Sequence, residues 1–356
     1  MRPFEYQPLN TPFEYRPLET PETIRVVQIR FEGSVPDTSY INCNIGHITL
    51  DNQFWAALSY EWGPSADDDP QIRLNGRFCR VRRNLHDALL ALRQSDLNIV
   101  VWIDALSINQ SDTLERNHQV QLMGTIYRRA AAVIIWPGLT RHFDERALNT
   151  INESIHAHST GSSVWQDAVS PAIIELCRKP YWNRVWVQQE VFLGGIILIM
   201  CPRGKWMKYQ AFDHILGRTT QDDSLCGAEI SSMIQESAAN ALVTRKRLPM
   251  GSSRLITWLR LACHRGLETS EPRDLIYAML GISSDCQDGG IKPDYDKPLI
   301  DVYLETIYFC GLHKPGQENK QFRRTLAEKL GLSWDGDMET RIQEYREQNA
   351  AVQRED

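Results

Sequence analysis

The sequence has no C-x-x-C pair, no apolar leader, no hydrophobic run of bilayer length and no excess of positive charge. Each absence closes off a class. Cysteines at 43, 79, 177, 201, 226, 263, 286 and 310 lack the paired spacing of a zinc ribbon. Dispersed in a chain this long, they fit buried free thiols in a reducing compartment. The opening residues Met1-Arg2-Pro3-Phe4-Glu5-Tyr6 contain no secretory h-region. The longest apolar stretch, near Val191–Met200, is too short to cross a bilayer. These readings predict a cytoplasmic protein without a membrane span. Lys and Arg number 39 against 45 Asp and Glu, a net charge of −6, which argues against a nucleic-acid partner. The short basic clusters at Arg80-Arg82-Arg83, Arg128-Arg129 and Arg245-Lys246-Arg247 read as solvated surface. There is no G-x-S-x-G elbow, no G-x-x-x-x-G-K-[ST] loop and no H-E-x-x-H pair. The nine histidines show no ligand spacing, so no metal is expected.

What is present suits a soluble globular chain. At 356 residues, 42% hydrophobic and 24% charged, it can hold one large domain, or one domain with an appendage. A short duplication opens it, Phe4-Glu5-Tyr6-Gln7-Pro8-Leu9 and Phe13-Glu14-Tyr15-Arg16-Pro17-Leu18. Two copies do not make a repeat fold, and residues 1–22 read as an extended or mobile arm. Ile24–Ile29 alternates like a strand, and Phe54–Tyr60 reads as a buried one. Asn75-Gly76 between two alternating runs, within Gln71–Val81, marks an inserted hairpin. Asn84 reads as the cap of a helix that buries Leu85, Ala88, Leu89 and Leu92. A β-branched run, Asn98–Ile103, ends at Asp104. Asp112-x-x-Glu115 then resembles a capping box, opening a helix with Val120, Met123, Ile126, Tyr127 and Ala130 inward. Ala132–Trp136 is a strand stopped by Pro137-Gly138. This succession predicts an α/β fold with a parallel sheet and right-handed crossovers.

Further on, residues 141–179 read as helical with a break at Ser159–Ser163. Val185–Leu193 reads as a helix ended by Gly194-Gly195, before a short strand at Ile196–Cys201. Beyond Trp206 the pattern is mostly helical, clearest at Leu255–Cys263, Asp274–Leu280 and Leu299–Cys310. The expected organisation is an arm (1–22), a sheet domain (23–205), a helical extension packed on it (206–313) and a charged tail (314–356).

Three segments stand out: Ala57–Gly63, Trp102–Gln110 and Arg184–Glu190. The first two leave apolar strands for polar loops, and the third ends in a carboxylate on a helix. Ligands of open α/β sheets bind beyond the carboxyl ends of the strands, so the three can converge on one pocket. Gly63 allows close backbone approach, and nearby amides can meet phosphate. Trp62 serves either to stack on a planar ring or to anchor the core. Asp104 either contacts ligand, or caps the following turn, or pairs with Arg116. Arg184 either binds phosphate or orients Glu190. Glu190 itself is either a working carboxylate or the ion-pair partner of Arg184. Trp182 and Trp186 read as core.

In this order the three segments resemble the heterokaryon incompatibility (HET) domain of filamentous fungi. Asp112, Glu115, Arg116, Gln119, Met123, Ile126 and Tyr127 extend the second segment, and Tyr181-Trp182-x-Arg184 leads into the third. Downstream, Pro272-Arg273-Asp274-x-Ile276-Tyr277 and Pro293-Asp294-Tyr295 also fit, so the resemblance covers roughly Ile24 to Tyr303. Ser107 stands where that family often has cysteine, which argues against a thiol nucleophile there. HET domains are in turn similar to Toll/interleukin-1 receptor (TIR) domains. The resemblance therefore implies a TIR/flavodoxin-like parallel sheet flanked by helices, with a mostly helical C-terminal part. It implies a role in programmed cell death after non-self contact, with NAD as substrate rather than cofactor. Glu190 would be the catalytic carboxylate, and Ser59, Tyr60, Trp62, Gly63, Asp104 and Arg184 would bind the nucleotide. Partners would be a further copy of the chain and a sensor of non-self. The competing implication is a non-enzymatic module that signals by homotypic contact. No counterpart of the proline-containing second TIR motif is present.

Overall fold

A computed structural model describes residues 12–30, 40–51, 54–95, 97–139, 145–154, 169–221, 227–247, 253–287 and 290–352. The Phe4–Leu9 copy of the duplication and the expected break at Ser159–Ser163 lie outside the described residues. The chain divides into two compact units. The first comprises residues 1–111, 125–182 and 190–248, and the second 112–124, 183–189 and 249–356.

The first unit carries the sheet. Its strands are β1 (Thr23–Ile29), β2 (Asn42–Thr49), β3 (Trp55–Tyr60), β4 (Gln71–Leu74), β5 (Arg77–Arg80), β6 (Val100–Trp102), β7 (Ala132–Trp136), β8 (Ile197–Cys201) and β9 (Lys205–Lys208). They lie in the order β5-β4-β2-β1-β6-β3-β7-β8-β9. β6-β3-β7-β8 is the parallel heart, and the sheet is mixed because antiparallel partners flank it: β1 against β6, and β9 against β8. In chain order the four parallel strands run second-first-third-fourth, the flavodoxin arrangement. The reversal of winding falls between β3 and β7.

Apolar alternation places the core. Ala56, Leu58 and Tyr60 of β3 join Leu85, Ala88, Leu89 and Leu92 of the Arg83–Gln94 helix in one buried cluster. Ser59 projects to the opposite face. There the Tyr127 hydroxyl donates to the Leu58 carbonyl (3.0 Å), and the Tyr127 ring meets Trp102 edge-on. The Thr113–Arg129 helix starts where the Asp112 carboxylate accepts the Glu115 amide (3.1 Å). Val120, Met123, Ile126, Tyr127 and Ala130 are buried, as its spacing requires. Asn75-Gly76 makes the β4–β5 hairpin with both residues at positive φ, the twist such a turn demands.

One expectation differs, and two segments gain detail. Asn84 is not a cap: Arg82 occupies that position, and Asn84 lies in the first turn with its amide engaged elsewhere. The described part of the arm is docked on the first unit. Phe13 packs on the apolar cluster, Arg77 donates to the Pro12 carbonyl (3.1 Å), and Arg25 donates to the Arg16 carbonyl (2.6 Å). The charged tail holds two ordered helices, Gln317–Lys329 and Met338–Val352. Leu326, Leu330 and Ile342 are buried there, and Arg323 grips both oxygens of Glu339 (3.1 Å each). Charged residues cover the outer faces and hide a sparse apolar stripe.

The second unit is helical. Leu255–Arg265, Asp274–Leu280 and Leu299–Phe309 bury Trp258, Leu259, Ile276 and Tyr303. Among the described residues, no helix is long and apolar enough to cross a membrane.

Candidate functional site

Two clusters of polar side chains gather at the carboxyl end of β3. The first is buried. Ser59 is fully enclosed and Glu190 is 2% exposed. The Ser59 hydroxyl donates to Glu190 Oε2 through a very short hydrogen bond. Tyr181, also fully buried, lies 2.6 Å from Ser59 Oγ. Serine has one proton and gives it to the carboxylate, so the tyrosine hydroxyl is the donor to serine. The result is a relay, Tyr181 to Ser59 to Glu190, with a carboxylate at its end. Removing a carboxylate from water is costly unless donors replace the lost hydration, and these hydroxyls begin to supply them.

Local structure fixes each member. β3 alternation aims Ser59 away from the Leu58–Tyr60 cluster. Tyr181 sits in the single turn Pro180–Asn183, its ring edge-on to Trp182 at 4.8 Å. Trp182 stacks on Phe212 and donates to the Leu176 carbonyl (2.7 Å), a core role. Glu190 lies on the Val185–Leu193 helix. The Lys246 ammonium caps that helix by donating to the carbonyls of Phe192 (3.1 Å) and Gly194 (2.9 Å). Partial burial holds the Lys246 pKa below the usual lysine value.

The second cluster is half-exposed and ties the strand ends together. Trp62 donates its indole N–H to Asp104 Oδ2 (2.7 Å), joining the loop after β3 to the end of β6. Arg82 stacks on the Trp62 ring (5.1 Å) and donates to the Gly63 carbonyl (2.6 Å). Asn84 donates to the Glu61 carbonyl and accepts from Trp136 Nε1 (2.9 Å). One amide thus bridges the ends of β3 and β7, where the sheet reverses its winding. Lys179 donates to the carbonyl of Gly138 in the adjoining loop (2.7 Å) and pairs with Glu175 (3.3 Å).

The structure therefore brings Ser59 and Glu190 into contact, and separately Trp62, Gly63 and Asp104. Tyr60 is buried in the apolar cluster, so its side chain faces away from Ser59. Arg184 belongs to the second unit, where its segment bridges to Glu268 by backbone. Arg116 lies in that unit too, its guanidinium 4.0 Å above the Tyr295 ring. Trp186 is partly exposed and bonds to Asp274. Ser107 is buried with its hydroxyl accepting the Ile103 amide (3.1 Å), a local structural role. Tyr181, Arg82 and Asn84 were not singled out from sequence as site residues. Tyr181 had a signal, opening the run Tyr181-Trp182-x-Arg184 that leads into the third segment. Asn84 had a helix-start signal that pointed to the wrong partner. Among the described residues no cluster of His, Cys, Asp and Glu could hold a metal ion.

Comparisons with known proteins bear on these segments. Residues 55–190 match the family model described as "Heterokaryon incompatibility protein (HET)". The match opens at the first residue of β3 and closes at Glu190. The chain is also 23% identical over 327 residues to "Heterokaryon incompatibility protein 6, OR allele" of Neurospora crassa. That alignment covers 71% of this chain and 46% of the relative, so the chain spans under half the relative's length. No solved structure matches.

Proposed function

From the match of residues 55–190 to the heterokaryon incompatibility family model, we propose that the protein is an effector of fungal non-self recognition, killing the cell by hydrolysing NAD at the nicotinamide–ribose bond. The observation that carries this reading is the contact of Ser59 with Glu190 at the carboxyl end of the central strand.

Cleavage of that bond develops positive charge at the anomeric carbon. A carboxylate can stabilise this charge and hold the ribose hydroxyls, as in glycosyl transfer generally. The leaving nicotinamide is cationic in the substrate, so a second acid is not required. Glu190 takes the carboxylate role and Ser59 with Tyr181 aligns it. The loop carrying Trp62 and Gly63, with Asp104 and Arg82, offers a ring face, backbone amides and a cation to the remainder of the nucleotide. The buried carboxylate becomes available when substrate or self-association displaces the Ser59 contact. Free thiols at Cys43, Cys177 and Cys201 suit a reducing, cytoplasmic setting. A sensor of non-self on another polypeptide, or on a further part of the protein, supplies the trigger.

One observation favours a second reading: Glu190 is 2% exposed. In that reading the carboxylate is a structural member of the TIR-like core, and the domain signals by homotypic contact without turnover. Purified chain incubated with NAD, with nicotinamide release followed, separates the two. The enzymatic reading expects release by the wild type and none by Glu190→Gln. Absence of turnover even under forced self-association, or unchanged turnover by Glu190→Gln, supports the second.

A further inference from the structure

The opening duplication has a structural counterpart independent of the NAD reading. Aligned at an offset of nine, Pro3–Thr11 and Pro12–Thr20 agree at all positions except Gln7/Arg16 and Asn10/Glu19. The second repeat is docked on the first unit. It is extended, with Phe13, Tyr15 and Leu18 partly buried and Glu14, Arg16 and Pro17 exposed. Phe13 enters the apolar cluster. The Tyr15 ring lies 4.9 Å from the Arg25 guanidinium. Arg77 donates to the Pro12 carbonyl (3.1 Å) and pairs with Glu14 (3.8 Å).

Arg25 explains why this groove requires an occupant. It is 2% exposed, on β1, a strand paired on both sides. Burying a guanidinium is costly unless its N–H groups find acceptors. The Ser107 carbonyl takes one (3.0 Å), the Arg16 carbonyl takes another (2.6 Å), and the Tyr15 ring covers the face. At the one inner position where the repeats differ, the docked residue works through its backbone: Arg16 serves by its carbonyl, which Gln7 also has. The first repeat carries every other group this groove uses, from Pro3 through Phe4, Glu5 and Tyr6 to Leu9.

We infer that the groove around Arg25 and Arg77 is a peptide-recognition site for the Pro-Phe-Glu-Tyr-x-Pro-Leu motif, and that residues Pro3–Leu9 of the same chain are its second ligand, exchanging with Pro12–Leu18. Aromatic anchors at alternate positions with carbonyls held by arginines are a mode of reading extended peptides. The repeats differ in their link to β1: four residues separate Leu18 from Thr23, and thirteen separate Leu9 from it. Loop closure then favours the second repeat by a factor of about six. The exchanged register pushes the second repeat out as part of a longer loop.

Three variants of the full chain test this: Phe4→Ala/Tyr6→Ala, Phe13→Ala/Tyr15→Ala, and all four changes together. The probe is a fluorescent synthetic peptide with the sequence of Pro3–Leu9. The quadruple variant is expected to bind the peptide. Phe13→Ala/Tyr15→Ala should bind it at least about tenfold more weakly, because its own first repeat competes at high effective concentration. Phe4→Ala/Tyr6→Ala should resemble the wild type. Equal binding by the quadruple and Phe13→Ala/Tyr15→Ala variants overturns the inference, as does no binding by the quadruple. Concentration-dependent dimers of Phe13→Ala/Tyr15→Ala overturn the assignment within one chain. Should the quadruple variant not fold, deletion of residues 12–20 decides: it moves the first repeat to the second's link length. An unchanged thermal midpoint supports exchange, and a lowered one overturns it.

Discussion

Asp274 shows how a single carboxyl can set the pH response of the second unit. Burial holds its pKa above the ordinary carboxylate value, opposed by hydrogen bonds from Tyr295, Trp186 and Thr269. Tyr295 donates at 2.6 Å and Thr269 at 3.3 Å. The sign follows from linkage. With the folded pKa above the unfolded one, the folded state holds more protons between the two values. The stability from this group is complete below the unfolded pKa and is lost as pH rises through the folded one. Asp274→Asn removes that dependence and keeps an acceptor oxygen. Urea unfolding of both proteins across the acid range should show the wild type losing ground to the variant as pH rises. An unchanging difference would refute the assignment. Asn84 makes the complementary residue-scale prediction. Asn84→Leu leaves the Glu61 carbonyl and the Trp136 indole without their bridge. A fully buried group left unpaired costs about 1–3 kcal/mol, and because these two are only partly buried a combined loss of about 1–3 kcal/mol is expected in denaturant titration. A loss below about 0.5 kcal/mol would show that water replaces the bridge. The sequence offered Asn84 as a helix start because asparagine before an apolar face is the usual signature. Nothing local reveals that its partners lie on strands ending at positions 60 and 136.

Elements were legible in proportion to the simplicity of their surroundings. Ala132–Trp136 and Val185–Leu193 have the bounds their patterns imply, and Asp274–Leu280 matches as well. Continuous apolar runs and clear stops define them. β2 gave no such signal: Asn42, Asn44 and Gly46 alternate with Cys43 and Ile45 but are poor strand formers, His47 breaks the pattern, and only part of the strand is buried. It is held by full pairing with β1, which depends on residues far away. β9 is four residues long, and Lys205 and Lys208 leave it without an apolar run. Its approach turn supplies the element-scale prediction. A side chain on Gly204 would land on the backbone of Gln94 and Ser95, at the end of the Arg83–Gln94 helix. One on Gly76 would meet open space, with only its positive φ against it. Gly76→Ala should cost about 1 kcal/mol from backbone conformation alone. Gly204→Ala adds overpacking and should cost about 3 kcal/mol or more. Thermal or urea unfolding measures both, and equal costs would contradict the packing argument.

At the scale of the whole molecule, strand order gives the site its place. A parallel heart wound second-first-third-fourth puts its switch point between the paired strands β3 and β7, the place where open α/β sheets of this kind bind ligands. Alternating strands and helices in the sequence imply the parallel heart. They do not reveal the antiparallel flanks, because nothing local states which edge a strand joins. That Ser59 and Glu190 come together, and Trp62 with Asp104, was foreshadowed because these residues close the apolar segments of the pattern, whereas Tyr60 and Arg184 of the same segments lie elsewhere. The relay through Tyr181, the Arg82 stack and the Asn84 bridge depend on side-chain approaches that spacing does not encode. The central claim is that Glu190 works chemically in a cell-death effector. Its most direct test follows intracellular NAD and viability together in fungal cells induced to express the wild type or Glu190→Gln at matched levels. The account predicts that NAD falls before viability with the wild type and that neither falls with the variant. Death at wild-type pace from Glu190→Gln, with NAD intact, would contradict it.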